Sequence, residues 1–399
     1  MKNKVLFITQ HLPFPPCSGA RRREYELLKH LAENNSVTLL AVSKVFDDDE
    51  RMIQYMDLDI EKVYLYHANP EKTLSEANTE DISLQVYRNL SQAAKHDLPK
   101  IIREHRIDVI HIEGFYMWFI LPEKLSIPVV LCEQNIEYDI WSQQVLLHGI
   151  AKRDYSRQAE IVKRQEHLVW GKVSKIITVT DSDASVIKEY GVQDVFVVSN
   201  GYDHSPLLSK KSDGKLDING SGHSLLYVGN FDYKPNEDAA FYFIKEVFPL
   251  IRNILKDVKV YFVGNIGTSK IEVLRDEDIY VTGRVDNLSE YYRRCSIFIC
   301  PLRYGGGIKT KILEALFASK SIVTTSIGLQ GIPNPAISPF VIADNPSDFA
   351  NGVISLLTDD AYRERREKAC ENVLSTWTTW SSAANRLSSL YAETINKSL

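Results

Sequence analysis

The chain has 399 residues, 44% apolar and 25% charged, with 47 Lys and Arg against 52 Asp and Glu for a net charge of −5. That balance excludes disorder and collagen-like repeats, and it gives no general reason to expect a nucleic-acid partner. The five cysteines, Cys17, Cys132, Cys295, Cys300 and Cys370, make no C-x-x-C or Cys/His pairing, which argues against structural zinc and a disulfide framework and for a reducing cytoplasm.

The chain begins MKNKVLFITQHLPFPP. Its apolar run is too short for a signal-peptide core, and prolines follow at once. No stretch approaches the ~20 apolar residues that span a bilayer, so any membrane contact is peripheral. Strand-length apolar runs occupy 5–9, 37–42, 63–66, 109–112, 129–132, 176–179 and 195–199, with helical periodicity between several of them. A Gly-, Ser- and Asp-rich stretch at 212–224 reads as a loop or linker. The alternation then restarts, with strands at 225–229, 258–263, 279–281, 297–300, 322–325 and 340–342. Strand–helix alternation with continuous apolar strands predicts parallel sheets covered on both faces. The fold class is α/β, with two similar doubly wound domains around a cleft and a boundary near 200–215.

Several segments carry polar chemistry. The first strand leads into P-F-P-P-C-S-G-A-R-R-R (13–23), where Ser18 is a candidate N-cap and Gly19 permits close backbone approach to an anion. A capped helix with a solvated basic turn is the plainer alternative. In I-H-I-E-G (110–114) His111 reads as a core residue, whereas Glu113, Glu133, Gln134, Asn135 and Glu137 fall nearer a carboxyl edge. The tract 115–121 reads as a buried helix start. Apolar positions Tyr155, Ala159, Val162, Val169 and Val173, interleaved with basic residues, read as a packed helix with a charged outer face rather than a membrane-surface helix.

The second half is more informative. In Y-V-G-N-F-D-Y-K-P-N-E-D (227–238), Lys234 lies in a polar loop, and Asn236 is expected to cap the next helix. V-T-G-R-V-D-N (281–287) joins a strand end to a helix start, a place suited to a nucleobase. I-C-P-L-R-Y-G-G-G-I-K-T-K-I-L-E-A-L (299–316) reads as strand, glycine loop and helix from about Ile308. That is the anatomy of a phosphate cradle, although it is neither a Walker A loop nor G-x-G-x-x-G. Lys309 and Lys311 oppose the helix dipole there unless an anion arrives.

With these motifs in this order, the chain resembles retaining glycosyltransferases of the GT-B fold, glycosyltransferase family 4, and within it a glycine-rich subgroup like those of surface polysaccharide clusters. The V-S-N-G-Y-D hinge (198–203) and the ending T-W-T-T-W…L-Y-A-E-T (376–394) belong to the same resemblance. It implies an acceptor domain at 1–203, a nucleotide-sugar donor domain at 204–380, and a terminal helix at 381–399 that packs back on the first domain. It implies sugar transfer from a nucleoside-diphosphate donor, UDP by family frequency, to a hydroxyl acceptor. Anomeric configuration would be retained, with no cofactor and no metal. The acceptor is a glycan, a lipid-linked sugar, a protein or a small molecule, and the setting is the cytoplasm or the inner membrane face. Glu314 matches the ribose-binding glutamate of the family's E-x7-E motif. The other glutamate is replaced by Gly306, whose contact passes to the backbone N–H groups of Gly306, Gly307 and Ile308. Lys234, Lys309 and Lys311 are candidates for the leaving phosphate. Asn230 stands where an arginine is usual, Val285 and Arg284 lie by the base, and Gly19 lies in the first-domain loop. Gln134 takes the place of a histidine that positions the donor sugar. A nucleotide-sugar-binding pseudo-enzyme and a sugar-nucleotide epimerase are the alternatives.

Overall fold

The computed structural model describes residues 2–147, 152–202, 223–334 and 337–398. The chain divides into two compact units, Met1–Gly201 with Thr378–Leu399, and Tyr202–Trp377. Each is built on one parallel sheet, and the thirteen strands expected from the sequence all form, with ends shifted by one or two residues.

In the first unit the strands are β1 (Asn3–Thr9), β2 (Asn35–Ser43), β3 (Lys62–His67), β4 (Val109–Glu113), β5 (Val129–Glu133), β6 (Lys175–Thr178) and β7 (Val195–Val197). They lie in the order β3-β2-β1-β4-β5-β6-β7, all neighbours parallel. β4 and β5 are buried at every position, as continuous apolar strands covered on both faces require. The second unit repeats the plan with β8 (Ser224–Val228), β9 (Lys259–Val263), β10 (Ile279–Gly283), β11 (Ile297–Cys300), β12 (Ile322–Thr324) and β13 (Phe340–Ile342). Its order is β10-β9-β8-β11-β12-β13, again parallel. In each sheet the winding reverses beside its first strand, between β1 and β4 and between β8 and β11. A crevice opens at the carboxyl ends of such a pair, because the following loops diverge to opposite faces.

The helices follow local chemistry. The Gly19–Asn34 helix starts where expected, since the Ser18 side chain accepts the Arg21 N–H at 3.3 Å. It buries Leu27, Leu28, Leu31 and Ala32. The Trp380–Ser398 helix packs on it with Ala383, Ala384, Leu387, Leu390 and Tyr391 in the same core. At Gly201 a Cβ would lie 2.3 Å from the Trp380 nitrogen, so only glycine permits this approach of backbones. The Lys152–Trp170 helix buries Ala159, Val162 and Val169 and exposes Arg153, Arg157, Lys163 and Arg164, the packed arrangement anticipated. The 115–121 tract forms a short 3-10 turn, Phe115–Ile120, with four of its six residues buried. Among the described residues no helix is long and apolar enough to cross a membrane.

Two expectations need correction. Asn236 does not cap a helix: that helix runs Lys234–Tyr242, with Pro235 in its first turn, and Asn236 is a buried residue within it. Proline's fixed φ sets the start two residues early. The helix after the glycine loop begins at Thr310, not Ile308, with Lys309 at its N-cap. Most of the proposed linker, 212–222, lies outside the described residues, as does Asp203 of the hinge motif; within 212–224, Ser224 already belongs to β8.

Candidate functional site

In the second unit the loops after β8, β10 and β11 share one carboxyl edge. Gly229 follows β8. A Cβ on it would sit 3.1 Å from both the Asn236 amide and the Lys311 Nζ, so its bare backbone lets the ammonium approach. Lys311 Nζ donates to Asn236 Oδ1 at 2.6 Å and to the Tyr227 hydroxyl at 3.1 Å, and it lies 4.3 Å from the Tyr227 ring centroid. Asn236 is fixed in turn: its amide donates to the Asn230 carbonyl at 2.8 Å and its Oδ1 accepts from the Tyr227 hydroxyl at 2.9 Å. The Asn230 side chain accepts from Asn265 at 2.9 Å. Burial pushes the Lys311 ammonium down to about 8. Its hydrogen-bond partners are neutral, so an arriving anion would raise it again and hold the charge in place.

The glycine loop supplies a second feature. Gly305 and Gly307 have φ of 118° and 66°, conformations that residues with a side chain rarely adopt. Lys309 is buried, and its Nζ donates to the Gly306 carbonyl at 2.8 Å and the Gly307 carbonyl at 2.6 Å. A trans peptide is planar, with C=O and N–H opposed. Gathering these two carbonyls on one ammonium therefore turns the N–H groups of Gly307 and Ile308 the other way, a concavity suited to an oxyanion. Lys309 thus braces the loop from within. Glu314, one turn along the Thr310–Phe317 helix, is half-buried and accepts the Tyr292 hydroxyl at 3.0 Å. Arg284 is exposed and Val285 half-buried after β10. Lys234 stands apart from the buried cluster: it is exposed and paired with Glu237 at 2.7 Å.

The first unit gathers a different chemistry at its β1/β4 crevice. Glu24, fully buried, accepts from the Thr9 hydroxyl at 2.7 Å and from the Gln134 amide at 3.2 Å, and lies 2.9 Å from His11 Nε2. Gln134 also donates to Glu113 at 2.8 Å. Glu113 meets His111 at 2.9 Å, and His111 meets the Tyr391 hydroxyl at 2.8 Å. The chain of contacts thus runs from the Trp380–Ser398 helix through the core to the sheet edge. Burial pushes Glu113 up, but the His111 contact and the Arg23 charge outweigh it and hold its carboxyl below the usual range. Gln134, Glu133, Asn135, Glu137 and Gly114 line a small cleft with Ala20, which follows Gly19 at the helix start. Burial raises Glu137 to about 7 and lifts Glu133 well above the usual carboxylate range; nearby Glu166 adds to the Glu133 shift.

His111, Glu113 and Cys132 place ligand atoms within 4.8 Å of one another. Arg23 Nη2 lies 3.7 Å from the Cys132 Sγ, however, and burial raises that thiol. A guanidinium beside the ligand set opposes a cation, so the cluster fits a structural brace. The sequence singled out Gln134, Glu113 and Lys311. It did not single out Glu24, Tyr391, Tyr227 or Tyr292, each a helix or strand residue whose partner comes from elsewhere in the chain, and no local pattern marks them.

Residues 17–206 match the family model described as Glycosyltransferase Family 4, and 222–359 match that described as Glycosyl transferases group 1. A curated relative, "Uncharacterized 44.6 kDa protein in cps region" of Klebsiella pneumoniae, is 27% identical over 161 residues, a match that spans 38% of this chain and 41% of that protein. Among solved structures, sucrose-phosphate synthase from Thermosynechococcus elongatus aligns with a TM-score of 0.75 at 15% identity, over 99% of this chain and 100% of that one. Anabaena Alr3699/HepE in complex with UDP and glucose aligns at 0.68 and 12% identity, over 98% of this chain and 100% of that one. At these identities the likeness is one of fold, and that fold is GT-B.

Proposed function

We propose, for a chain that is a GT-B glycosyltransferase by its two matched domains and its fold, that it moves a sugar from a UDP-sugar to a hydroxyl acceptor with retention at the anomeric carbon. The observation that carries this reading is the β8/β11 crevice, where a buried ammonium with neutral partners, outward-turned N–H groups and a held carboxylate lie on one sheet edge. Each suits one part of a nucleoside diphosphate. Lys311 and the N–H groups of Gly307 and Ile308 take the phosphates, and Glu314 takes the ribose hydroxyls. The loop carrying Val285 and Arg284 borders the base.

The hard step is departure of the diphosphate. The bond from the anomeric carbon to the β-phosphate oxygen breaks, and negative charge grows on that oxygen. Fixed donors aimed at developing charge lower the barrier without reorganising. Lys311 and the loop N–H groups fill that role in place of a divalent cation. The acceptor oxygen then bonds to the same face of the carbon, and its proton passes to the leaving phosphate. Lys234 joins only by leaving Glu237. Gly19 and Asn230 act through backbone and loop positioning, and Gln134 belongs to the sugar-binding side in the first unit. The cps-region relative favours a place in polysaccharide assembly.

Calorimetry with UDP, GDP, ADP, CDP and TDP, each with and without Mg2+, tests the reading. One nucleotide binding at micromolar strength regardless of metal is the expected result. No binding by any of them would sink the donor-site assignment. Binding without transfer to any acceptor would favour a pseudo-enzyme.

A further inference from the structure

Three contacts tie the segment 303–311 to one helix of the second unit. Arg303 grips Asp238 with two hydrogen bonds, Nε to Oδ2 at 3.0 Å and Nη2 to Oδ1 at 2.5 Å. Gly305 rests on the start of the same helix, since a Cβ there would stand 3.6 Å from the Pro235 Cβ and 3.9 Å from the Tyr233 hydroxyl. Lys311 donates to Asn236 at 2.6 Å. The glycine loop is thus pinned at both ends to the Lys234–Tyr242 helix, while Lys309 shapes its middle.

Arg303 is poorly placed to bind a phosphate itself. Beyond Asp238, its guanidinium lies 4.8 Å from the Tyr242 ring centroid, and its Nη1 lies 3.9 Å from Glu246. Two carboxylates already face it, so an incoming anion meets no net positive charge there. Asp238, Tyr242 and Glu246 recur every fourth residue, a spacing that drifts about 40° per step around an α-helix. The Phe243–Val247 segment is a π turn, which holds more residues per turn and offsets that drift, so all three reach Arg303. Pro249 accounts for the π turn, because its missing N–H and its ring interrupt the α ladder there.

We infer that Arg303 is a positioning residue: through Asp238 it sets the glycine loop in its diphosphate-binding shape without touching the ligand. The inference rests on the donor-site reading and extends it to a residue that meets no part of the nucleotide. The pair is part-exposed, 36% and 22% for the two side chains, so it adds little to stability. Its two parallel bonds fix a direction instead. Loss of the pair should therefore disturb the phosphate site more than the fold.

UDP and uridine binding to the full chain test it, by calorimetry and saturation-transfer NMR. Arg303→Met should weaken UDP binding about tenfold and leave uridine unchanged, because only the phosphates meet the loop. Asp238→Ala separates two roles. It removes a negative charge, so it would strengthen UDP binding if Arg303 were a phosphate ligand freed to act. A positioning role gives the reverse, a loss as large as that of Arg303→Met, with the double variant no worse than either single one. If Arg303→Met fails to fold, the sign of the Asp238→Ala effect still decides. Stronger UDP binding in Asp238→Ala, additive losses, unchanged affinity in both variants, or an equal fall in uridine binding would overturn the proposal. An unaltered chain that binds no UDP sinks the donor-site assignment itself, whereas UDP binding that neither variant weakens sinks only the part given to Arg303.

Discussion

A lysine ammonium buried among neutral partners is unusual, because desolvation favours the uncharged amine. With Lys311 held near 8, its charge is present below that pH and fades above it. Nucleoside-diphosphate affinity should therefore fall as pH rises through about 8, above the range in which the terminal phosphate itself ionises; titration calorimetry between pH 7 and 9 checks this, and Lys311→Met should abolish the slope. For the empty protein the sign is opposite. The folded value lies below the ordinary 10.5, so this group makes the fold more stable as pH climbs from about 8 to 10.5. Glu314→Ala should cost nucleotide binding ~1–3 kcal/mol, the range for a hydrogen bond to a charged group. Tyr292→Phe should cost less, because it removes only the hydroxyl that holds the carboxylate. Unchanged affinity in Glu314→Ala would take that residue out of the site. Lys311 stood out in the sequence because it closely follows three glycines, and Glu314 because it matches the second glutamate of the E-x7-E pattern. Tyr227 and Asn236 were not recognised as the lysine's partners, since they come 84 and 75 positions earlier in the chain.

At the scale of the element, the glycine loop and its following helix act together through Lys309. Lys309→Met removes the ammonium that gathers two carbonyls, and the loop peptides are then free to rotate. Weaker nucleotide binding with a smaller effect on melting temperature is the expected outcome. A drop in stability as large as the drop in affinity would instead make Lys309 a folding residue alone. Strands were read well from the sequence because a parallel strand covered on both faces is a continuous apolar run that needs no partner to be visible. Helix starts were read less well. At 234–236 the proline set the first turn, and the candidate cap was drawn inside by Tyr227 and Lys311, a contact that no local rule anticipates.

The first unit is made from two separated stretches of chain, and the join is chemical as well as apolar. Tyr391 lies in the last helix, and its hydroxyl reaches His111 in β4 at 2.8 Å. Tyr391→Phe leaves the packing and removes one buried partner, so a loss of ~1–3 kcal/mol in chemical denaturation is expected. Urea unfolding monitored by fluorescence would register it. The same division orders events during synthesis. Everything from Tyr202 to Trp377 leaves the ribosome before residues 378–399 do. Until then the face formed by Leu27, Leu28 and Leu31 lacks its cover, and the His111–Glu113–Gln134 relay lacks its far anchor. A chain cut after residue 377 would therefore carry one complete unit and one whose apolar face stays adhesive, the form most in need of a chaperone.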